Sequence, residues 1–327
     1  MTVLLEVDRL RIEFPTRRGV LVAVDDISFS IEEGEVLGVV GESGAGKSIT
    51  GAAIIGLLEP PGRIAQGIIQ FEGQQINGLP YELMRRIRGA KIGAIFQDPL
   101  TSLNPLYTIG QQLIETITTH TGLTSSPARA RALDLLNEVG IPAPERRMDA
   151  YPHEFSGGMR QRVVIALAIC ANPRLIIADE PTTALDVSIQ AQIIILLKRL
   201  CHEHRTAIML ITHDMGVIAE MSDRVAVMYA GRIVEVGPLR EVIKSPKHPY
   251  TVGLMDSIPV IGQEKDQLSH INGAMPRLQE IPPGCPFHPR CSETFDRCRV
   301  ERPDSMPTDN PSQVASCWKY ARTAQHG

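Results

Sequence analysis

The sequence predicts an α/β nucleotide-binding fold, and three observations carry that expectation. Gly41-Glu42-Ser43-Gly44-Ala45-Gly46-Lys47-Ser48 has the G-x-x-x-x-G-K-S form of a phosphate-binding loop. An apolar run of strand length, residues 35–40, precedes it, and an apolar stretch of helical character, residues 49–58, follows it. That is the strand, glycine turn and helix the motif requires. A strand-rich N-terminal segment feeds this unit, as a layered α/β core would have it.

The chemistry of the loop follows from its residue types. Glycines let the backbone turn tightly and bring its N–H groups against phosphate oxygens. The helix start adds partial positive charge at the same point. Lys47 is placed to reach the β- and γ-phosphates, and the Ser48 hydroxyl to ligand Mg²⁺.

The rest of the chain fits in order. Residues 3–14 alternate and contain β-branched side chains, and residues 22–31 read as a second strand. Phe14 is the best candidate to stack on an adenine ring; a buried core phenylalanine is the plainer alternative. Pro60-Pro61-Gly62 is expected to stop the helix after the loop. Residues 67–77 read as a strand and hairpin, and residues 92–96 as an apolar strand ending in Gln97-Asp98-Pro99. Residues 108–139 change to helical periodicity, with Ile109, Leu113 and Ile117, then Ala130, Leu133, Leu136 and Val139, broken at residues 122–126. They read as a helical insert within the α/β core.

A second candidate anion site is Ser156-Gly157-Gly158 at the start of an alanine-rich helix, which offers free N–H groups in the same way as the P-loop. The buried strand Leu175-Ile176-Ile177-Ala178 then ends in Asp179-Glu180. Adjacent carboxylates at a strand end suit metal and water handling: Asp179 would hold Mg²⁺ through its shell and Glu180 would polarise the attacking water. Two solvated acids are the alternative. Ala184-Leu185-Asp186 precedes a helix over 189–204, and the strand 207–212 ends at His213. A lone histidine is more often structural, but at that strand end it is placed for a γ-phosphate. Residues 225–229 and 233–236 close the sheet as a hairpin.

Composition bounds the remaining possibilities. The 327 residues are 43% hydrophobic, enough for a full core, and the net charge is −4. No broad basic field draws the chain to nucleic acid or acidic lipid. No apolar run has the length of a membrane span, and acid appears too early at the N-terminus for a signal peptide. A cytoplasmic protein is expected. Cys170 and Cys201 stand alone. The pattern Cys285-x5-Cys291-x6-Cys298-x18-Cys317 gathers four thiols into 33 residues. Cytosolic thiols stay reduced, which disfavours disulfides. Four cysteines suit zinc or an iron–sulfur cluster; spacing wider than C-x₂-C tilts away from zinc, and plain reduced thiols are the third reading.

Taken together, the P-loop, Gln97, Ser156-Gly157-Gly158, Asp179-Glu180, Asp186 and His213 occur in the order found in the ATP-binding-cassette (ABC) ATPases, and residues 3–240 resemble that family. The resemblance implies an ABC-type P-loop NTPase: a RecA-like core with an antiparallel β subdomain and an inserted α-helical subdomain. It implies Walker A at 41–48, the Q-loop at Gln97, where that residue takes part in Mg²⁺ binding and catalysis, and the signature at 156–160. Walker B falls at 175–179, with Glu180 catalytic, the D-loop at 184–186 and the switch at His213. Phe14 falls where the family carries its adenine-stacking residue. The signature departs from L-S-G-G-Q in Phe155 and Met159.

A narrower resemblance lies in Thr101-Ser102-Leu103-Asn104-Pro105, Lys247-His248-Pro249-Tyr250-Thr251 and the tail from Ile281 to Cys291, which look like the oligopeptide/dipeptide (and nickel) importers. It implies a cassette over 1–252 with its helical insert at about 98–160, and an importer extension over 253–327 in which the four cysteines hold a [4Fe-4S] cluster. It also implies ATP-driven pairing with a paralogous cassette, two transmembrane permease subunits, an extracytoplasmic peptide-binding protein, and a peripheral place on the inner face of the cell membrane. Importers of nickel or haem are the nearer alternative. A soluble cassette acting on ribosomes or DNA would favour two cassettes or basic surface, and a non-catalytic one would lack Lys47 or Glu180.

Overall fold

The computed structural model describes residues 2–183, 185–257 and 271–321. Ala184 of the expected D-loop, and residues 258–270 of the expected extension, lie outside the described residues. The chain divides into two compact units, one of residues 1–4, 31–36 and 78–211, the other of 5–30, 37–77 and 212–327.

In the first unit the strands Ile92–Ile95, Leu175–Asp179 and Ala207–Thr212 run parallel, with Ile92 opposite Leu175 and Leu175 opposite Ala207. Their side chains form near-continuous apolar runs, and Ala207–Thr212 is buried at every position, the pattern of a parallel sheet covered on both faces. The helix Gly157–Ile169 packs so closely that a Cβ at Gly93 would run into the Ala168 carbonyl oxygen. The helical insert appears as Ile109–Thr121 and Ser125–Glu138. A capping box of Thr108 and Gln111 starts the first helix, and Gly122, with φ 72°, ends it. Leu113, Ile117, Ala128, Ala132 and Leu135 are fully buried.

The second unit holds an antiparallel sheet and the P-loop strand. Val3–Thr16 pairs with Arg63–Phe71, with Leu5 opposite Phe71 and Ile12 opposite Ile64. The P-loop strand Val36–Val40 pairs in parallel with Arg224–Tyr229, which forms a hairpin with Arg232–Pro238. The tail then joins this sheet: Val314–Ala315 pairs antiparallel with Arg232–Pro238, with Glu235 opposite Ala315.

One expectation about the helix after the P-loop needs correction. It runs Lys47–Ile54 and stops before the prolines. Gly56, with φ 63°, ends it. The Gly56 N–H donates to Ala53 O at 3.1 Å and the Leu57 N–H to Ala52 O at 2.8 Å, the two bonds of a Schellman closure.

An aromatic cluster anchors the tail. Tyr229, Tyr250 and Phe287 converge with ring centroids 4.7–5.5 Å apart. Beside them Glu235, 1% exposed, accepts from the Lys247 N–H at 2.9 Å, the His248 N–H at 2.8 Å and Gln313 Nε2 at 3.3 Å. Burial raises the pKa of this carboxyl, and the donors oppose the rise.

Candidate functional site

The P-loop lies in the second unit. A side chain at Gly41 would run into the Met228 carbonyl oxygen, and one at Gly46, where φ is 100°, would meet Ala23 O at 2.9 Å. Both positions therefore need glycine. No side chain caps the helix Lys47–Ile54 and no acid occupies its first turn, so the partial positive charge of that helix start is not offset by a carboxylate of its own first turn. Lys47 is buried, and its Nζ donates to Gly41 O at 2.7 Å and Glu42 O at 3.0 Å. The loop thus folds around its own ammonium. Ser43, Gly44 and Ser48 are exposed, while Ala45 is buried.

Phe14 and His213 belong to the same unit. The Phe14 ring edge lies over Gly62, where a Cβ would stand 2.7 Å from it, and the side chain is half-buried. His213 is exposed where the chain leaves the strand Ala207–Thr212, just before Asp214 caps the helix Met215–Met221.

The first unit brings Gln97 and Glu180 together. Asp179 closes the strand Leu175–Asp179, half-buried. Glu180 follows with φ 46°, a left-handed conformation unusual and strained for a non-glycine residue. Its Oε2 accepts from Gln97 Nε2 at 3.0 Å and from Thr183 Oγ1 at 2.8 Å. The turn is held by the Glu180 N–H donating to Ile211 O at 2.8 Å. The two donors fix the orientation of the carboxylate.

Ser156 is the N-cap of Gly157–Ile169, its Oγ accepting from the Met159 N–H at 3.3 Å. Ser156 and Gly157 are exposed, and Gly158 stands against Ile189. Phe155 is buried beneath the Arg147 guanidinium, 5.4 Å from the ring centre. The departure from L-S-G-G-Q at this position is thus absorbed by packing. Asp186 caps the helix Val187–His204, accepting from the Ile189 N–H at 2.9 Å.

The four tail cysteines, all free thiols, line one cavity of about 120 Å³. Gly284, with φ 71°, abuts the Cys298 carbonyl, and the Cys285 N–H donates to that oxygen at 2.8 Å. Among the described residues, the group of three or more potential ligand atoms within 4.8 Å of one another is Glu138, Glu203 and His204; no three of the tail sulfurs form such a group. Four sulfurs about 2.3 Å from one zinc would lie closer together. Burial pushes the Cys285 thiol up to about 11 and raises Cys291 and Cys317 as well, each with a further push from neighbouring cysteines.

Comparison with known proteins places this arrangement. Residues 24–183 match the family described as ABC transporter, and residues 234–298 match the oligopeptide/dipeptide transporter C-terminal region. The chain is 49% identical over 300 residues to the dipeptide transport ATP-binding protein DppD of Escherichia coli strain K12, covering 92% of each. It is 47% identical over 321 residues to the oligopeptide transport ATP-binding protein OppD of Haemophilus influenzae, covering 98% of each. The chain belongs to the ABC-transporter ATPases of the dipeptide/oligopeptide importer family. A dimeric ATP-binding cassette solved in a post-hydrolysis state with ADP and Pi superposes with a TM-score of 0.65 at 29% identity, covering 72% of this chain and 99% of that one.

The α/β P-loop fold expected from the sequence is therefore that of an ABC ATPase. Among the described residues of this ATPase, no helix is long and apolar enough to cross a membrane. Sequence reasoning missed three contributors. Thr183 holds Glu180; its only signal is a hydroxyl three residues beyond the acid. Tyr250 accepts the Glu42 N–H on its hydroxyl at 3.0 Å. Arg290 donates from Nη1 to both Glu42 carboxylate oxygens, at 2.9 and 3.2 Å. The last two stand in the importer-like stretches, but nothing there points to the P-loop, which they reach from more than two hundred residues away.

Proposed function

We propose that this ATPase energises the import of di- or oligopeptides, binding ATP at Gly41–Ser48 and hydrolysing it with Glu180 as general base. The single observation that carries the reading is Glu180: a strained, doubly anchored carboxylate at the end of a buried strand. The uncapped helix start and the loop N–H groups take the phosphates, and Lys47 exchanges its loop carbonyls for phosphate oxygens. Phe14 gives one ring face to adenine. The Ser48 hydroxyl and Asp179 carboxylate are the oxygen donors that Mg²⁺ prefers, and the ion, when bound, neutralises phosphate charge. Gln97 orients Glu180 and joins the metal site, and His213 serves the γ-phosphate.

Ser156-Gly157-Gly158 offers its exposed helix start to the nucleotide of a second, paralogous cassette. ATP closes the pair and hydrolysis separates it, and this motion works two transmembrane permease subunits fed by an extracytoplasmic peptide-binding protein. The subunit sits peripherally on the cytoplasmic face of the membrane and takes no part in nucleic-acid binding. The cassette spans 1–252 with its helical insert at about 98–160, and the importer extension spans 253–327.

In the extension, Cys285, Cys291, Cys298 and Cys317 hold a [4Fe-4S] cluster rather than zinc. Free thiols spread around one cavity support this, since a cluster takes four thiolates over a wider span than one zinc ion. When bound, it supplies a staple to a segment with little core of its own.

Two measurements test these assignments. In the complex co-purified from membranes, Glu180→Gln should bind ATP normally and lose peptide-stimulated hydrolysis by at least about a hundredfold; hydrolysis at the wild-type rate removes the role. Anaerobically purified protein should be brown with about four irons per chain, and Cys291→Ser should bleach it. Colourless protein with one zinc would decide for the other metal.

A further inference from the structure

Glu42 presents a difficulty for a phosphate-binding loop. Its carboxylate stands on the loop that takes a polyanion, and unscreened like charge at that distance weakens binding. The structure answers it from the tail. The Arg290 side chain is 8% exposed, and its guanidinium spans both oxygens of Glu42. The rest of the fork holds a neighbouring segment: Nε donates to Asn272 O at 2.9 Å and Nη2 to Gly273 O at 3.2 Å. Two residues on, Met275 lies against the loop, with its Cε 3.0 Å from where a Cβ at Gly44 would stand. Tyr229 and Phe287 face the guanidinium with their rings, 5.7 and 6.0 Å from ring centre to Cζ. Tyr250 fixes Glu42 at its N–H as well. The loop is therefore gripped at both ends of Glu42 and at Gly44 by residues from 250–290.

We propose that Arg290 is a positioning residue of the phosphate-binding loop, which neutralises Glu42 and so sets the affinity of the loop for nucleoside triphosphate. The inference rests on the reading of Gly41–Ser48 as the nucleotide site. It makes the tail a determinant of nucleotide affinity, through a charge pair that reaches no substrate atom.

The test uses charge rather than loss of contact. With the full chain titrated calorimetrically with a non-hydrolysable ATP analogue, R290Q should bind about tenfold more weakly. ADP, with one charge fewer, should lose less. E42Q should bind the analogue more tightly than wild type. The double variant E42Q/R290Q should recover most of the loss, because no unpaired carboxylate remains. In the assembled complex the R290Q defect should fall on KM for ATP rather than on kcat. A double variant as weak as R290Q would assign the effect to disturbed packing and overturn the proposal, as would R290Q with wild-type affinity. Should R290Q fail to fold, E42Q decides alone: weakened analogue binding there overturns it. Wild-type chain that binds no ATP would overturn the nucleotide reading itself, and this inference with it.

Discussion

His248 shows how a single buried group sets an acid limit on stability. It is 1% exposed, and its Nδ1 accepts from the Tyr250 N–H at 3.1 Å, capping the helix Pro249–Asp256. Burial depresses its pKa from 6.5 to about 3. A base with a depressed folded pKa stabilises the fold above its unfolded pKa, and that contribution is lost as pH falls from 6.5 towards 3. At pH 5 the loss is about 2 kcal/mol. His248→Asn keeps an acceptor at the cap without titrating, so the stability gap to wild type should narrow by that amount between pH 7 and pH 5 in urea unfolding. At this scale the candidate site is marked in the sequence wherever its residues are local to one motif. Lys47, Asp179, Glu180 and Ser156 announce themselves by glycine spacing or strand-end position. Arg290 did not, because an arginine in a proline-rich tail reads as solvated until Glu42 is found beside it.

Helix ends and close approaches decide the elements. Proline is the louder stop in a sequence, whereas an αL glycine such as Gly56 ends a helix through hydrogen bonds that exist only in the folded backbone. Gly56→Ala should cost about 1 kcal/mol by thermal denaturation, since alanine is strained at φ 63°. Gly93 matters through sterics. A valine there would drive its side chain into the Ala168 carbonyl and lift the helix that begins at Gly157. Gly93→Val should cost about 3 kcal/mol, read as a lowered urea midpoint with the slope unchanged. The helical insert is legible from the spacing of Ile109, Leu113 and Ile117, all fully buried, and from the break at Gly122, whereas on the second helix Ala130 is exposed and Leu133 half-buried.

At the scale of the whole chain, the tail is where reading from sequence fell short. Four cysteines are what the sequence marks in the tail, yet Val314–Ala315 extends a sheet, and Gln313, fully buried, donates to Glu235. Two-residue strands carry no periodicity, so nothing in the sequence marks them. Removing the residues after 305 should lower the unfolding free energy by about 3 kcal/mol, because it strips a donor from a buried carboxylate and opens a sheet edge. The same threading sets an order of assembly on the ribosome. The P-loop strand emerges near the start of synthesis, but its neighbour Arg224–Tyr229 is made almost two hundred residues later. Arg290 follows Glu42 by 248 residues. At about 5–20 residues per second, that delay is roughly 10–50 seconds. A nascent chain therefore carries a complete P-loop motif long before it carries a finished pocket, and a polypeptide released before residue 290 leaves the ribosome without the grip that would let it compete for cellular ATP.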